Sequence, residues 1–222
     1  MQNSKNHFLR STEFNPGSVF HIYNRTNNKE PLFHDDQDRW RFYSTYRKYL
    51  APFFKTYAYC LLDNHFHFQV RVKDVAGLLA FCKNDLPRNL SKSQKAFMLD
   101  SENDELITMM IVMQFSRFFD SYAKFFNYKY GRKGNLFNKS FKRRKVDDSN
   151  YFRSLVCYIH TNPVKHKISE DFQNYPWSSF QLIFSEDVFI PMESKELISI
   201  FGSKSLFIEG HKEWLKSKGI FE

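Results

Sequence analysis

Residues 65–72 alternate strictly between two chemistries. Phe66, Phe68, Val70 and Val72 are apolar, while His65, His67, Gln69 and Arg71 are polar. Successive side chains of a strand point to opposite faces, so this pattern predicts a strand with one core face and one face carrying two imidazoles. The run before it, residues 55–62, is apolar and aromatic. Asp63 and Asn64 lie between the two runs, and both residue types tolerate the positive φ of a two-residue hairpin turn. A β-hairpin over 55–72 is therefore the best-defined local unit of the chain.

Other elements follow by the same reasoning. Residues 19–26 read as a strand with His21, Tyr23 and Arg25 on one face and Phe20, Ile22 and Asn24 on the other. Asp35 or Asp36 can cap a helix running to about Leu50. A short helix is expected over 75–83, and the polar stretch 84–104, which holds Pro87, reads as a mobile connection or insertion. Ile107, Met110, Ile111, Gln114, Phe115, Phe118 and Tyr122 recur at helical spacing within a long helix over 105–130. Gly131 and Gly134 bracket a turn, and a strand is expected over 136–146. Asp148 or Ser149 can cap a further helix that should end before Pro163. After Trp177 the chain reads as a helical tail. Strand, helix, hairpin, helix, strand, helix is the order of an α+β fold, an antiparallel sheet with packed helices.

The charge balance points to an anionic partner. The chain carries a formal net charge of +9, and 18% of its residues are aromatic. No stretch of eighteen apolar residues exists, and the first sixteen residues lack the apolar run of a signal peptide. Cys60, Cys82 and Cys157 are scattered and form no CxxC pair, which fits a reducing, cytoplasmic setting. Nucleic acid is then the expected partner rather than a membrane. Between residues 124 and 145 stand Lys124, Lys129, Arg132, Lys133, Lys139, Lys142, Arg143, Arg144 and Lys145 with no acidic residue. Phe125, Phe126, Tyr128, Tyr130, Phe137 and Phe141 interleave with them. Cations bind phosphates and rings stack on unpaired bases; equally, such a run is a solvated basic face with core aromatics between.

Two constellations offer chemistry. His65 and His67, at i and i+2 on a strand, can grip one divalent cation, although the triplet alone also fits two solvated surface histidines. On the helix over 150–162, Phe152, Leu155, Val156 and Ile159 form the core stripe. Tyr158 and Asn162 sit one turn apart on a neighbouring face, where they can offer a phenol nucleophile and an amide oxygen. They can also be an interface tyrosine and a helix-ending asparagine. Tyr122, Tyr128, Tyr130 and Tyr151 are rival tyrosines in the same half of the chain.

Taken together these residues carry a resemblance. His65-Phe66-His67, preceded by Tyr59-Cys60-Leu61-Leu62-Asp63-Asn64, looks like the His-hydrophobic-His (HUH) motif of single-tyrosine transposases. Gly131-Arg132-Lys133-Gly134-Asn135-Leu136-Phe137 with Phe141-Lys142 is similar to that family's glycine-arginine stretch and following strand. Tyr158-Ile159-His160-Thr161-Asn162-Pro163-Val164 resembles its catalytic helix, Tyr175-Pro176-Trp177-Ser178-Ser179 its closing motif, and His21-Ile22-Tyr23-Asn24-Arg25 its opening strand. The chain is most similar to the REP-associated branch of the insertion-sequence-200 type, over about residues 18–180.

The resemblance implies a ferredoxin-like, RRM-like HUH endonuclease fold over residues 1–184, with 84–104 as an insertion and 185–222 as a helical C-terminal extension. It implies that His65, His67 and Asn162 bind Mg²⁺ or Mn²⁺, and that Tyr158 attacks single-stranded, hairpin-forming DNA to give a 5′-phosphotyrosine link. Arg25, Lys129, Arg132, Lys133, Lys139, Lys142, Arg143, Arg144 and Lys145 are the expected nucleic-acid contacts, in a monomer or homodimer. Two other readings stand beside this one: a non-catalytic single-stranded DNA or RNA binder on the same sheet, and a different HUH endonuclease.

Overall fold

The computed structural model describes residues 13–84, 90–138, 140–185 and 189–219. Lys139 and Pro87 lie outside the described residues. Four strands, β1 (Val19–Arg25), β2 (Phe54–Leu62), β3 (His65–Val72) and β4 (Lys142–Val146), form one sheet in the order β2-β3-β1-β4. Every neighbouring pair is antiparallel. Helix α1 (Asp36–Tyr49) joins β1 to β2, starting where the Asp35 carboxylate accepts from the Asp38 N–H. Helices α2 (Val75–Asn84), α3 (Lys92–Leu99) and α4 (Asp104–Lys129) fall between β3 and β4. Helix α5 (Ser149–Lys165) follows β4, and α6 (Ser194–Phe201) and α7 (Lys204–Ser217) complete the chain. No helix among the described residues is long and apolar enough to cross a membrane.

The alternation of β3 divides the molecule into two cores. Phe66, Phe68 and Val70 pack with Phe20 and Ile22 of β1 against Phe42 and Tyr46 of α1 and Phe115, Phe118 and Tyr122 of α4. On the other side Ala58, Cys60 and Leu62 meet Phe152, Val156 and Ile159 of α5, with Leu197, Phe207 and Leu215 of the last two helices beyond. A bulge shifts the β2 register between Thr56 and Ala58, so that Tyr57 and Ala58 both belong to this second core. The outer edge of β2 is covered by later chain: the Leu61 N–H donates to Trp177 O at 2.9 Å, the Ser179 N–H to Tyr59 O at 3.0 Å, and the Glu193 N–H to Thr56 O at 2.9 Å. An edge of this kind otherwise invites pairing with another chain.

Three expectations need correction. Of the stretch 84–104, expected as a mobile connection or insertion, the mobile reading is corrected: Lys92–Leu99 form helix α3, opened by a capping box between Ser91 and Gln94 and anchored by buried Phe97. The strand expected over 136–146 is shorter. Phe137 makes an isolated bridge to Thr26, and the ladder resumes where Tyr23 faces Lys142. The counts differ on the two sides, five residue steps from 137 to 142 against three from 26 to 23, so one regular ladder cannot span both. Helix α5 does not stop before Pro163 but runs to Lys165. Proline removes one N–H donor but fits helical φ, and burial of Thr161, Asn162, Pro163 and Val164 outweighs the loss.

Candidate active site

Register brings the polar face of the sheet together. His65 lies opposite Arg25, His67 opposite Tyr23 and Gln69 opposite His21; Tyr23 and His21 in turn face Lys142 and Arg144 of β4. Helix α5 packs across this face and sets the Tyr158 ring 5.5 Å from the His67 ring and 6.2 Å from that of His21. The extension of α5 past Pro163 adds two residues that the sequence had not pointed to. Lys165 Nζ stands 5.0 Å over the Tyr158 ring, and the His166 ring lies 5.0 Å from that of His65.

Each candidate ligand is oriented by a neighbour. Asn64 Oδ1 holds His65 Nδ1 at 2.8 Å, which leaves His65 Nε2 for another partner. A 2.9 Å hydrogen bond joins His67 Nδ1 to His21 Nε2, both buried. Asn162 is fully buried and its amide donates to the Tyr158 carbonyl at 2.8 Å. Among the candidate ligands, two buried atoms have no hydrogen-bond partner among the described residues, His67 Nε2 and Asn162 Oδ1; Gln69 Oε1, further along the same face of β3, is another orphaned acceptor. Buried polar atoms are rarely left so, and two orphans of acceptor type fit a divalent cation. Burial pulls the His65 imidazole down to about 4, helped by the charges of His166, Arg25 and Lys165. Burial and the neighbouring histidines hold His67 well below the usual range. Both rings are therefore neutral at pH 7, the form a metal ion takes. Among the described residues no three His, Cys, Asp or Glu side chains gather as a metal cluster, so the set on offer is two imidazoles and an amide. Burial raises the Tyr158 phenol above its usual value, against a hydrogen-bond contribution from Asn162.

A cleft of about 1000 Å³ opens beside these residues, lined by Tyr23, Arg25, Lys29, His65, Lys142 and His166 among others. Among the described residues no carboxylate lines it. Of the basic residues singled out from sequence, Arg25, Lys142 and Arg144 share the histidine face. Arg143 and Lys145 alternate to the opposite face: the Arg143 guanidinium sits 4.5 Å over the Phe14 ring, and Lys145 pairs with Asp147. Lys129 is engaged by Asp35 and Asp38 at 2.8 Å, and Arg132 forms a two-pronged pair with Glu30 that fixes the loop after α4. Lys133 is exposed in that loop. The interleaved rings are mostly core: Phe126 and Phe137 are buried and Phe141 stacks on Phe115 at 4.3 Å, while Tyr128 is 91% exposed.

The rival tyrosines have other places. Tyr122 donates to Leu32 O, Tyr130 donates to Asp38, and Tyr151 lies under the Arg144 guanidinium at 4.8 Å. Tyr23, which sequence reading did not weigh, is 5.6 Å from His67 by ring centroids.

Two imidazoles on one strand thus share the face of a four-stranded antiparallel sheet with a phenol and a buried amide on the helix that crosses it. The fold matches a solved structure of the REP-associated tyrosine transposase bound to a REP hairpin. That likeness has a TM-score of 0.50 at 18% sequence identity, and covers 82% of this chain and 88% of that one. No protein-family model and no curated protein matches the sequence.

Proposed function

We propose that the protein is a single-tyrosine transposase of the REP-associated kind, which binds, cleaves and rejoins single-stranded DNA through a 5′-phosphotyrosine link. The observation that carries this reading is the Tyr158 ring 5.5 Å from His67 on a face where His67 Nε2 and Asn162 Oδ1 are both left without a hydrogen-bond partner among the described residues. The fold shared with a hairpin-bound transposase supports hairpin-forming DNA as the substrate. His65 Nε2, His67 Nε2 and Asn162 Oδ1 would hold Mg²⁺ or Mn²⁺, which when bound polarises the scissile phosphate.

The chain's own residues do the rest. Arg25, Lys142 and Arg144 hold strand phosphates along the histidine face. Tyr158 Oη bonds to phosphorus as the bond from phosphorus to the 3′ oxygen breaks; the phenol loses a proton and the 3′ oxygen gains one. A phenol near pKa 10 is about 4 kcal/mol from its anion at neutral pH, and burial of Tyr158 adds to that. Lys165 over the ring works the other way, favouring the phenolate as it forms. Attack of a 3′-OH on the phosphotyrosine reverses the step, so rejoining needs no ATP.

The test is to incubate the protein with hairpin-bearing single-stranded DNA, labelled at its 3′ end, and Mn²⁺. A labelled adduct that survives denaturation and disappears in EDTA is expected. Full activity in EDTA would contradict the metal role, and tight binding with no adduct across a broad substrate set would favour the non-catalytic binder.

A further inference from the structure

The side of α5 away from Tyr158 carries a hydrogen-bonded chain that the reaction above does not use. Phe207 O lies 2.6 Å from His211 Nδ1, His211 Nε2 2.9 Å from His160 Nδ1, and His160 Nε2 2.8 Å from Ser179 Oγ, which also accepts the Tyr59 N–H at 2.8 Å. His160, Ser179 and His211 are all fully buried. The direction of every link is forced. A carbonyl only accepts, so His211 carries its proton on Nδ1 and accepts at Nε2. His160 must then donate from Nδ1 and accept at Nε2, and the Ser179 hydroxyl donates to it.

His160 stands midway between Tyr158 and Asn162 in sequence. At about 100° of rotation per residue its side chain leaves the helix on the far side from both. The chain thus ties α5, at the level of its reactive residues, to β2 through Ser179 and Tyr59 and to α7 through His211. Rings close around it: Phe180 meets His160 edge-on at 5.6 Å, and Phe172 stacks on His211 at 5.7 Å. Any rotation of α5 about its axis breaks the buried hydrogen bonds of His160 to His211 and Ser179. The phosphate-facing residues Arg25, Lys142 and Arg144 are on β1 and β4 and take no part in it.

We infer that His211 is a positioning residue for the nucleophile: docking of the C-terminal helix through the His211–His160–Ser179 chain sets the rotation of α5 and with it the presentation of Tyr158. This rests on the reading of Tyr158 as the nucleophile. The C-terminal extension is then a working part of the site, and lifting it stops the chemistry without removing the DNA surface.

The test compares His211→Leu, which removes the acceptor for His160, with His211→Gln, which restores one, in the full-length protein. Three quantities are read: the Kd for hairpin-bearing single-stranded DNA, the rate of adduct formation at saturating DNA, and hydrogen exchange of the α5 amides. In His211→Leu the adduct rate should fall by about ten- to a hundred-fold, with Kd within about two-fold of wild type and faster exchange over residues 157–163. His211→Gln should recover most of the rate. A folded His211→Leu protein that forms adduct at the wild-type rate, or a His211→Gln protein as slow as His211→Leu, overturns the inference. If His211→Leu fails to fold, Ser179→Ala breaks the chain from its other end and must give the same separation of rate from Kd; an unchanged rate overturns the inference. If the wild type itself forms no adduct, the transposase reading fails. Exchange then decides the tether on its own: faster α5 exchange in the variant supports it and unchanged exchange refutes it.

Discussion

His67 is the residue on which the site turns, and its state is set by His21. His67 Nδ1 and His21 Nε2 share a hydrogen bond of 2.9 Å, and in the tautomer that donates from Nδ1 the unpartnered His67 Nε2 is bare. Outer partners of this kind orient a ligand and raise its basicity, and losing one typically costs ten- to a hundred-fold in metal affinity, to order of magnitude. His21→Phe keeps the stack on Tyr23 and removes the hydrogen bond. Its Mn²⁺ affinity, measured by calorimetry, should fall by about that ten- to hundred-fold; unchanged affinity would mean that His21 only fills space. The His65-Phe66-His67 face was legible from alternation alone, because a strand's period is a local property. His21 was legible as a residue on the right face of a strand, but its pairing with His67 was not. That contact depends on the register between β1 and β3, which the intervening chain does not encode locally.

On the proposed reading, elements decide which cations are available to DNA. On β4 the period of two sends Lys142 and Arg144 to the histidine face and Arg143 and Lys145 away from it. At the end of α4, Lys129 meets Asp35 and Asp38 from the start of α1, partners some ninety residues distant. No inspection of a basic run shows such a partner, which is why the run read as a single surface. Lys142→Ala should weaken single-strand binding and lower the slope of log Kd against log salt by about 0.7. Lys129→Met should leave that slope unchanged and instead lower stability by about 1 kcal/mol, read from a urea midpoint, since Asp38 is buried and loses a donor. The opposite pattern would restore Lys129 to the DNA surface. Helix α5 shows the same limit on local reading. Pro163 argues for a helix end, yet tertiary burial carries the helix on to Lys165, and that extra turn delivers Lys165 and His166 to the cleft.

At the scale of the molecule, burial of many neutral imidazoles makes stability depend on pH. Burial lowers His21, His65 and His211 to about 4, and holds His67 and His160 well below the usual imidazole range. The unfolded chain titrates these groups near 6.5 and so binds more protons than the folded one between that value and about 4. Their contribution is therefore complete above about pH 6.5 and is lost as pH falls toward 4. For the metal-free protein the urea midpoint should drop between pH 7 and pH 5 by an amount worth on the order of a few kcal/mol. A midpoint flat over that interval would contradict the neutral, buried state of these rings. The same burial keeps His65 neutral, so Mn²⁺ binding should persist below pH 6 instead of fading there as it would at an exposed histidine pair. The overall α+β plan was readable from the order of elements. The ordered helix α3 and the docking of the C-terminal helices on α5 were not, because each depends on a surface that exists only after the sheet has formed.

The central claim is that Tyr158 makes the covalent bond, and mapping the adduct tests it most directly. The protein is to be trapped on hairpin-bearing single-stranded DNA with Mn²⁺, digested, and the nucleotide-bearing peptide sequenced by mass spectrometry. The account predicts the phosphodiester remnant on Tyr158 and no adduct in Tyr158→Phe. A remnant on Tyr23, whose ring is 5.6 Å from His67, or on Tyr151, or an adduct that persists in Tyr158→Phe, would contradict it.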